Sequence, residues 1–341
     1  MRGRNLALLP LLLLLLTACG APPAVDNEQV SPQERLVARF SHVTTENSPK
    51  HLAAVRFAQE ASSQTGGRVE IQVYPNSQLY KDGEEISALQ NGSVQFIAAS
   101  TSKLVQVDPM WQVFDLPYLF TSFADIQRLF DSPAGLVMRQ RLEAKGMIPL
   151  AIWPNGFKQL TNMRHPLVKP SDFAGLTFRV QGGLVLDDQF RALGAGTVVT
   201  SFDAVYADLE HQEVDGQENT LSNIYTRNLQ ALQPYLTISD HGYLAYVVLV
   251  QAKWWKELDE PTRAALQVAL SEATDWIDIN AQVMNDDALA RIEASGRVQV
   301  RTLTPDERQA LRVSMDPAYK AAEARLGAAF MKQVYDAVAG Q

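Results

Sequence analysis

The first half of the chain alternates apolar strands with amphipathic helices. Val69, Ile71 and Val73 alternate with polar residues, which indicates a half-buried strand. Ser48 before Pro49 predicts a helix start, because serine caps helix N-termini and proline fits the first helical turn. The predicted strands and helices of this half are strands 35–41, 69–73, 94–98 and 147–152, and helices 48–63, 82–91, 122–130 and 134–144. The β-α-β-α-β order at its start favours a parallel sheet with helical crossovers.

The second half repeats this alternation and then becomes helical. The continuous apolar run 243–250 predicts a central strand. A long amphipathic helix is predicted over 260–293, followed by one more strand and two helices. The other predicted elements are strands 159–162, 177–180, 197–199 and 214–217, and helices 185–193 and 202–211.

Two α/β runs with several chain crossings predict a bilobed α/β protein, in which two domains enclose a cleft and the long helix braces both. We expect residues 34–155 to form mainly the first lobe and 156–250 mainly the second. Residues 251–341 are expected to cross between the lobes.

Arg179 is the most informative residue, because it interrupts a strand that is otherwise apolar. A buried guanidinium needs an anionic partner, since an unpaired buried charge is very costly. No acid lies beside Arg179 in sequence, and Asn219 supplies a second polar group at another predicted strand end. The pair predicts a pocket for the carboxylate of another molecule. An internal ion pair between Arg179 and Glu218 is the alternative.

Five polar residues fall at or near predicted strand ends, where ligands bind in open α/β sheets. These residues are His42, Ser100, Lys158, Arg179 and Asn219. Lys158 is a compact charge suited to a second carboxylate, with a solvated loop lysine as the alternative. For Asn219, the alternative is a helix cap.

Three further residues are weaker candidates for the pocket. Lys50 lies on a first helical turn, where exposure to water is the alternative. Phe202 and Tyr243 are candidate walls of the pocket, with burial in the core as the alternative.

The N-terminus predicts export from the cytoplasm. Arg2 and Arg4 precede an apolar stretch, 6–16, which is about half of the ~20 residues that span a bilayer. Residues 1–18 are therefore interpreted as a signal peptide. Cys19 lies at the cleavage point, and the segment resembles a bacterial lipobox, in which this cysteine is lipidated. Residues 19–33 are expected to be a lipidated tether; an ordinary signal peptide with an incidental cysteine is the alternative.

Composition excludes several classes of function. The chain has 341 residues and a formal net charge of −8, which argues against nucleic acid as a partner. Cys19 is its one cysteine, and the five histidines lack zinc-ligand spacing. A phosphate-binding glycine loop and a Gly-x-Ser-x-Gly elbow are both missing. The carboxylates of 81–85 are interpreted as a solvated helix face. We therefore predict neither catalytic residues nor a metal or cofactor.

Several stretches, in unbroken order over about residues 35 to 335, resemble the DctP-type solute-binding proteins of tripartite ATP-independent periplasmic (TRAP) transporters. They are Phe40-Ser41-His42-Val43, Asn47-Ser48-Pro49-Lys50, Val73-Tyr74-Pro75-Asn76-Ser77-Gln78-Leu79-Tyr80, Phe114-Asp115-Leu116-Pro117-Tyr118-Leu119-Phe120, Asn155-Gly156-Phe157-Lys158-Gln159, Gly175-Leu176-Thr177-Phe178-Arg179, Val214-Asp215-Gly216-Gln217-Glu218-Asn219 and His241-Gly242-Tyr243-Leu244.

The resemblance implies roles for four residues. In that family the arginine at the position of Arg179 clamps the ligand carboxylate, and the asparagine at the position of Asn219 hydrogen-bonds the same group. Many relatives carry an arginine where this chain has Lys158, and the lysine resembles the C4-dicarboxylate branch. Ser100 stands where sialic-acid binders place an acid, which suits a small anion better than a polyol.

The resemblance implies a bilobed periplasmic-binding-protein-like fold and a lipid-anchored periplasmic protein. Such a protein would bind malate, succinate or fumarate and deliver it to the membrane subunits of a TRAP transporter. Three alternatives stay open: a binder of a 2-oxo acid or a uronate, a ligand-sensing module for a receptor kinase, and an enzyme acting on a malate-like substrate.

Overall fold

The computed structural model describes residues 35–340, so the predicted signal peptide, Cys19 and the tether lie outside the described residues. The strands are β1 (Leu36–Ser41), β2 (Val69–Tyr74), β3 (Phe96–Ser100), β4 (Met147–Asn162), β5 (Thr177–Val180), β6 (Gly196–Val199), β7 (Gly216–Asn219), β8 (Tyr235–Gln251) and β9 (Gln299–Thr302).

The helices are α1 (Pro49–Gln64), α2 (Glu84–Gln90), α3 (Thr101–Leu104), α4 (Phe123–Asp131), α5 (Pro133–Glu143), α6 (Leu184–Ala192), α7 (Val205–Glu210), α8 (Leu221–Thr226), α9 (Ala252–Glu257), α10 (Glu260–Ala294), α11 (Pro305–Ser314), α12 (Asp316–Leu326) and α13 (Ala328–Ala339). Three 3-10 helical segments, Pro109–Asp115, Pro170–Phe173 and Leu229–Ala231, complete the helical structure of the described residues. Three helices follow β9 where the sequence predicted two.

Within residues 35–340, all strands join one mixed sheet in the order β2-β1-β3-β8-β4-β7-β5-β6, and β9 pairs with β8. Strand β1 is parallel to β2 and β3, and β5 is parallel to β6 and β7, as the β-α-β pattern predicted. The two long strands β4 and β8 are antiparallel to each other and join these groups. We call β1–β3 the first half-sheet and β5–β7 the second.

Strand β4 is continuous where the sequence predicted a break between 152 and 159. The segment around Pro154 and Gly156 forms a bulge at which the pairing with β8 shifts register, so the strand bends without ending. Gly156 has φ +139°, and a Cβ there would lie 2.8 Å from the Nδ2 of Asn285 on α10. The predicted lobe boundary after residue 155 falls inside this bulge, and the residue bounds of the lobes stay a prediction.

Strand β8 is buried on both faces, as its apolar run predicted. Successive side chains of a strand point to opposite faces, so its residues alternate between two cores. Those on one face pack with α4 and α5, and those on the other pack with α1 and α10. The first set is Tyr243, Ala245, Val247 and Leu249, and the second is Leu244, Tyr246, Val248 and Val250.

Helix α10 is 35 residues long and contacts two cores. Leu266 and Ile277 pack in the core that includes β1 and β3, whereas Ala288 and Ile292 pack with α7 and α8. Its buried positions recur at helical spacing along its whole length, so one face of the helix packs on the protein throughout. In the described part of the chain, no helix combines the length and apolarity needed to cross a membrane.

A buried ionic cluster joins β4, β7 and β8. The Nζ of Lys158 lies 2.8 Å from Glu218 Oε1 and 3.6 Å from Asp115 Oδ1, and His241 Nε2 lies 3.0 Å from Glu218 Oε2. Burial alone would raise the pKa of Glu218, but Lys158 and His241 outweigh it and lower that pKa to about 2. Burial raises the pKa of Asp115 to about 6, against the opposing attraction of Lys158.

Glu218→Gln is expected to destabilise the fold by about 3–5 kcal/mol at neutral pH, because it removes the main counter-charge of buried Lys158. Since the folded pKa of Glu218 is lowered, its contribution is present above the ordinary value of 4.5 and is lost as the pH falls towards 2. Urea unfolding of wild type and variant between pH 7 and pH 2.5 should therefore show a difference that shrinks on acidification. Glu213→Gln, at an exposed acid just before β7, is the control. A pH-independent difference would contradict the ionic role.

Candidate functional site

Arg179 and Asn219 lie on one face of the second half-sheet. In the parallel pairing of β5 with β7, Arg179 is opposite Gln217, and Asn219 is two residues further along β7. Because side chains two apart on a strand share a face, Arg179, Gln217 and Asn219 point to the same side. Strand β5 is otherwise mostly apolar and carries the guanidinium, and strand β7 ends in Asn219, which carries the amide. The pairing of the two strands therefore places both groups on one face.

Three N–H-bearing atoms of this pair have no partner among the described residues. Arg179 is fully buried; its Nη2 donates to the Thr200 carbonyl at 2.7 Å, whereas Nε and Nη1 donate to nothing. The Asn219 Oδ1 accepts from Thr220 N and Asn223 Nδ2, and its Nδ2 is unpaired. Buried polar groups are normally hydrogen-bonded, so these unpaired donors are candidates for binding an acceptor.

Neither alternative for this pair matches the structure: Arg179 does not form the ion pair with Glu218, and Asn219 is not the cap residue of α8. Glu218 pairs with Lys158 and His241, and the carboxylate that pairs with Arg179 is that of Asp82, whose Oδ2 lies 3.8 Å from Nη2. The residue at the cap position of α8 is Thr220, one residue after Asn219. Burial lowers the pKa of Arg179, although Asp82 and Glu218 oppose the shift.

A small internal cavity lies between the two half-sheets. Its volume is about 20 Å³, room for about one water molecule. Its lining comes from the turns after β1 and before α2, from the last residue of β3, from the segments that follow β5 and β6, and from β8, α1 and α8. The lining residues are Val43, Thr44, Lys50, Asp82, Ser100, Gln181, Phe202, Asn223 and Tyr246. An organic acid can enter only if these side chains separate.

Lys50, on α1, and Ser100, the last residue of β3, contribute polar groups to the cavity. Lys50 is 1% exposed, so it does not face water; its Nζ donates to the Ala98 carbonyl at 3.1 Å and lies 3.9 Å from the centre of the Tyr246 ring. Burial lowers the pKa of Lys50 to about 8, while Glu85 and Asp82 oppose the shift. Ser100 accepts a hydrogen bond from Lys103 N as the cap of α3.

The two aromatic candidates differ in position. Phe202 lines the cavity and stacks with the guanidinium of Arg227, 5.4 Å from the ring centre. Tyr243 is in the core, where it stacks with Phe123 and makes an edge contact with Phe157.

His42 is fully buried next to the cavity, behind Val43 and Thr44. Its Nε2 lies 3.1 Å from His51 Nδ1 and its Nδ1 lies 3.3 Å from Thr44 Oγ1. Burial lowers the pKa of His42 well below its ordinary value, and Lys50 adds to the shift. A neutral His42 therefore positions Thr44 rather than supplying a charge.

Lys158 lies on the other face of the sheet from Arg179. It pairs with Glu218, which precedes Asn219 on β7, and successive residues of a strand face opposite sides. At 1% exposure it is not a solvated loop lysine. It does not line the cavity, and its predicted contact with a second carboxylate stays a prediction.

Sequence reasoning missed several cavity residues. Gln181 could have been found from its spacing of two from Arg179 on β5, and Asn223 from its spacing of four from Asn219. The interpretation of 81–85 as a solvated helix face is wrong for Asp82 and Glu85, whose side chains are buried. They are buried because the turn before α2 packs them near the ammonium groups of Lys50 and Lys103, which no local sequence signal shows.

Comparison with known proteins gives the site its context. The model of the DctP family, bacterial extracellular solute-binding protein family 7, matches residues 40–325. The C4-dicarboxylate-binding protein DctB of Bacillus subtilis is 40% identical over 311 residues, covering 91% of this chain and 89% of that protein. The C4-dicarboxylate-binding periplasmic protein DctP of Rhodobacter capsulatus is 39% identical over 307 residues, covering 90% of this chain and 92% of that protein.

A solved structure shows the same architecture. A TRAP periplasmic solute-binding protein from Sulfurospirillum deleyianum, with bound succinate, aligns with a TM-score of 0.84 at 36% identity, covering 88% of this chain and 98% of that chain. The match confirms the predicted bilobed α/β fold and the predicted resemblance. The chain therefore belongs to the DctP family of bacterial extracellular solute-binding proteins, and it is a binding protein rather than an enzyme.

Proposed function

We propose that this protein binds a four-carbon dicarboxylate such as succinate, malate or fumarate in the periplasm and delivers it to the membrane subunits of a TRAP transporter. The observation that carries the proposal is the set of unpaired donors, Arg179 Nε and Nη1 and Asn219 Nδ2, on one face of the sheet. A carboxylate offers two acceptor oxygens, which suit the fixed fork of a guanidinium. The C4-dicarboxylate-binding relatives and the succinate-bound structure support this choice of ligand.

Lys50 is the cation that best suits the second carboxylate. It lines the cavity, is buried, and donates one hydrogen bond to a backbone carbonyl, so its ammonium has further donors for a ligand. Ser100 lies on the same cavity wall and adds a hydroxyl. Lys158, which the sequence favoured for this role, already has Glu218 and Asp115 as counter-charges.

The number of hydrogen bonds that these groups could donate to a diacid is consistent with micromolar affinity. Charge-assisted hydrogen bonds contribute roughly 1.5–3 kcal/mol each. Three or four of them would support low-micromolar binding, which corresponds to about −8 kcal/mol.

Ligand entry requires the lobes to separate, because the cavity is much smaller than a four-carbon diacid. In this proposal residues 34–155 and 156–250 form the two lobes, and 251–341 cross between them. Opening would bend β4 and β8, which run through both halves of the sheet, and α10, which packs on two cores.

Membrane attachment through a lipid on Cys19 is also part of the proposal. The basic start, the short apolar stretch and the cysteine at the predicted cleavage point support it. A tether over 19–33 would then hold the binding protein near its transporter.

Arg179→Ala is expected to weaken succinate binding by more than ~100-fold, because a ligand carboxylate would lose its bidentate partner. Titration calorimetry measures the change, and Arg164→Ala, at a half-exposed arginine paired with Asp215, is the control. Arg179→Lys keeps the charge but not the fork, and should bind more weakly than wild type. Unchanged affinity in folded Arg179→Ala protein would falsify the clamp.

Lys50→Met is expected to weaken succinate binding by about 10–100-fold while changing the binding of butyrate, a monocarboxylate, by less than about threefold.

For Lys158, a double variant Lys158→Met/Glu218→Met avoids a stranded charge, because apolar pairs can replace buried ion pairs. We expect this variant to retain succinate binding. Selective loss of succinate in the double variant, with none in Lys50→Met, would assign the second carboxylate to Lys158 instead.

Cys19→Ala is expected to release the protein from membranes. Expressed in a bacterium, wild type should partition into the detergent phase of Triton X-114 and carry a lipid mass on its N-terminal peptide, since stable anchoring requires acyl chains. The variant should enter the aqueous phase. An unmodified wild-type N-terminus would contradict the lipid anchor and leave the binding function untouched.

A further inference from the structure

Asp82 lies in the cavity wall at the point where the cavity adjoins a groove on the surface. It lies in the turn before α2, and its side chain is 5% exposed. It lines the internal cavity and also an outer groove of about 640 Å³ on the first half of the molecule. No other lining residue of these two spaces is shared between them. Asp82 therefore lies between the cavity and the outer groove.

The Asp82 carboxylate lies between two cations. Its Oδ2 is 3.8 Å from Arg179 Nη2 and 3.4 Å from Lys103 Nζ. The contact with Arg179 is too long for a hydrogen bond, so it balances the buried charge without occupying a donor. Arg179 Nε and Nη1 accordingly stay unpaired. The guanidinium thus has a counter-charge and, at the same time, free donors.

We propose that Asp82 is an exchangeable counter-ion of Arg179. It balances the guanidinium when no ligand is bound, and the ligand carboxylate takes over that role while Asp82 stays paired with Lys103. This inference rests on the proposed function, because it assigns the ligand an anionic group at Arg179.

The exchange has a consequence for affinity. A ligand carboxylate at Arg179 is repelled by the Asp82 carboxylate, which stays in place beside Lys103. This repulsion makes the free energy of binding less favourable. Asp82 therefore keeps binding weaker than the cations alone would allow, which favours release of the ligand to a transporter.

Asp82→Asn is expected to tighten succinate binding by about tenfold. Removing the Asp82 charge removes its repulsion of the ligand carboxylate, and the repulsion between two nearby unit charges is large enough for such a change in affinity. The same change should lower the melting temperature measured without ligand, because Arg179 loses its counter-charge. The rise in melting temperature caused by succinate should then be larger than in wild type. Calorimetry and thermal unfolding measure these effects.

Glu84→Gln is the matched control, because Glu84 is an exposed acid two residues away that lines only the outer groove. It should change succinate affinity by less than about twofold, since exposed charges are screened. Equal tightening in Glu84→Gln and Asp82→Asn would reduce the effect to net charge and overturn the proposal. Unchanged or weaker binding in folded Asp82→Asn protein would also overturn it.

A second measurement separates counter-ion exchange from a general structural role. In an Arg179→Ala background, Asp82→Asn should lose roughly half or more of its effect on the ligand-free melting temperature, because the partner is gone. If Asp82→Asn lowered the ligand-free melting temperature equally in wild type and in Arg179→Ala, Asp82 would not be the counter-ion of Arg179. Failure of the proposed function has a different signature, since wild type and Arg164→Ala would then bind no dicarboxylate at all.

Discussion

The buried charge of Arg179 is the constraint on which the rest of the site depends. A guanidinium that is fully removed from water requires a counter-charge, and the fold places Asp82 near it without forming a hydrogen bond. Two of its donor nitrogens are left unpaired, beside the unpaired amide nitrogen of Asn219. These unpaired donors are the basis of the proposed anion site.

The two faces of the second half-sheet separate two kinds of charge. Lys158, Glu218, His241 and Asp115 neutralise one another on one face, where they join β4, β7 and β8. Arg179 and Asn219 lie on the opposite face, and neither of them lines the cavity. Because side chains alternate along a strand, consecutive residues such as Glu218 and Asn219 can serve structure and ligand binding independently.

A transport protein must bind its ligand and also release it. The cavity has room for about one water molecule, so an organic acid fits only if the half-sheets move relative to one another. The elements that connect them are long and continuous: two strands and one helix. Such connections favour a hinge motion over independent drift of the lobes. An internal carboxylate that competes for the same arginine would keep the bound state from becoming too stable.

The sequence by itself determined the alternation of strands and helices, the central position of β8, the long helix α10 and the presence of a charge, Arg179, in a buried strand, because each depends on local periodicity or on a charge in an apolar run. Tertiary structure decided what those patterns could not. The bulge at Pro154 and Gly156 made one strand of two, and long-range packing buried Asp82 and Glu85. It also gave Lys158 an internal partner and brought Lys50 to the cavity. Charge partners come from residues far apart in the chain, so their identity depends on the folded sheet and not on sequence spacing.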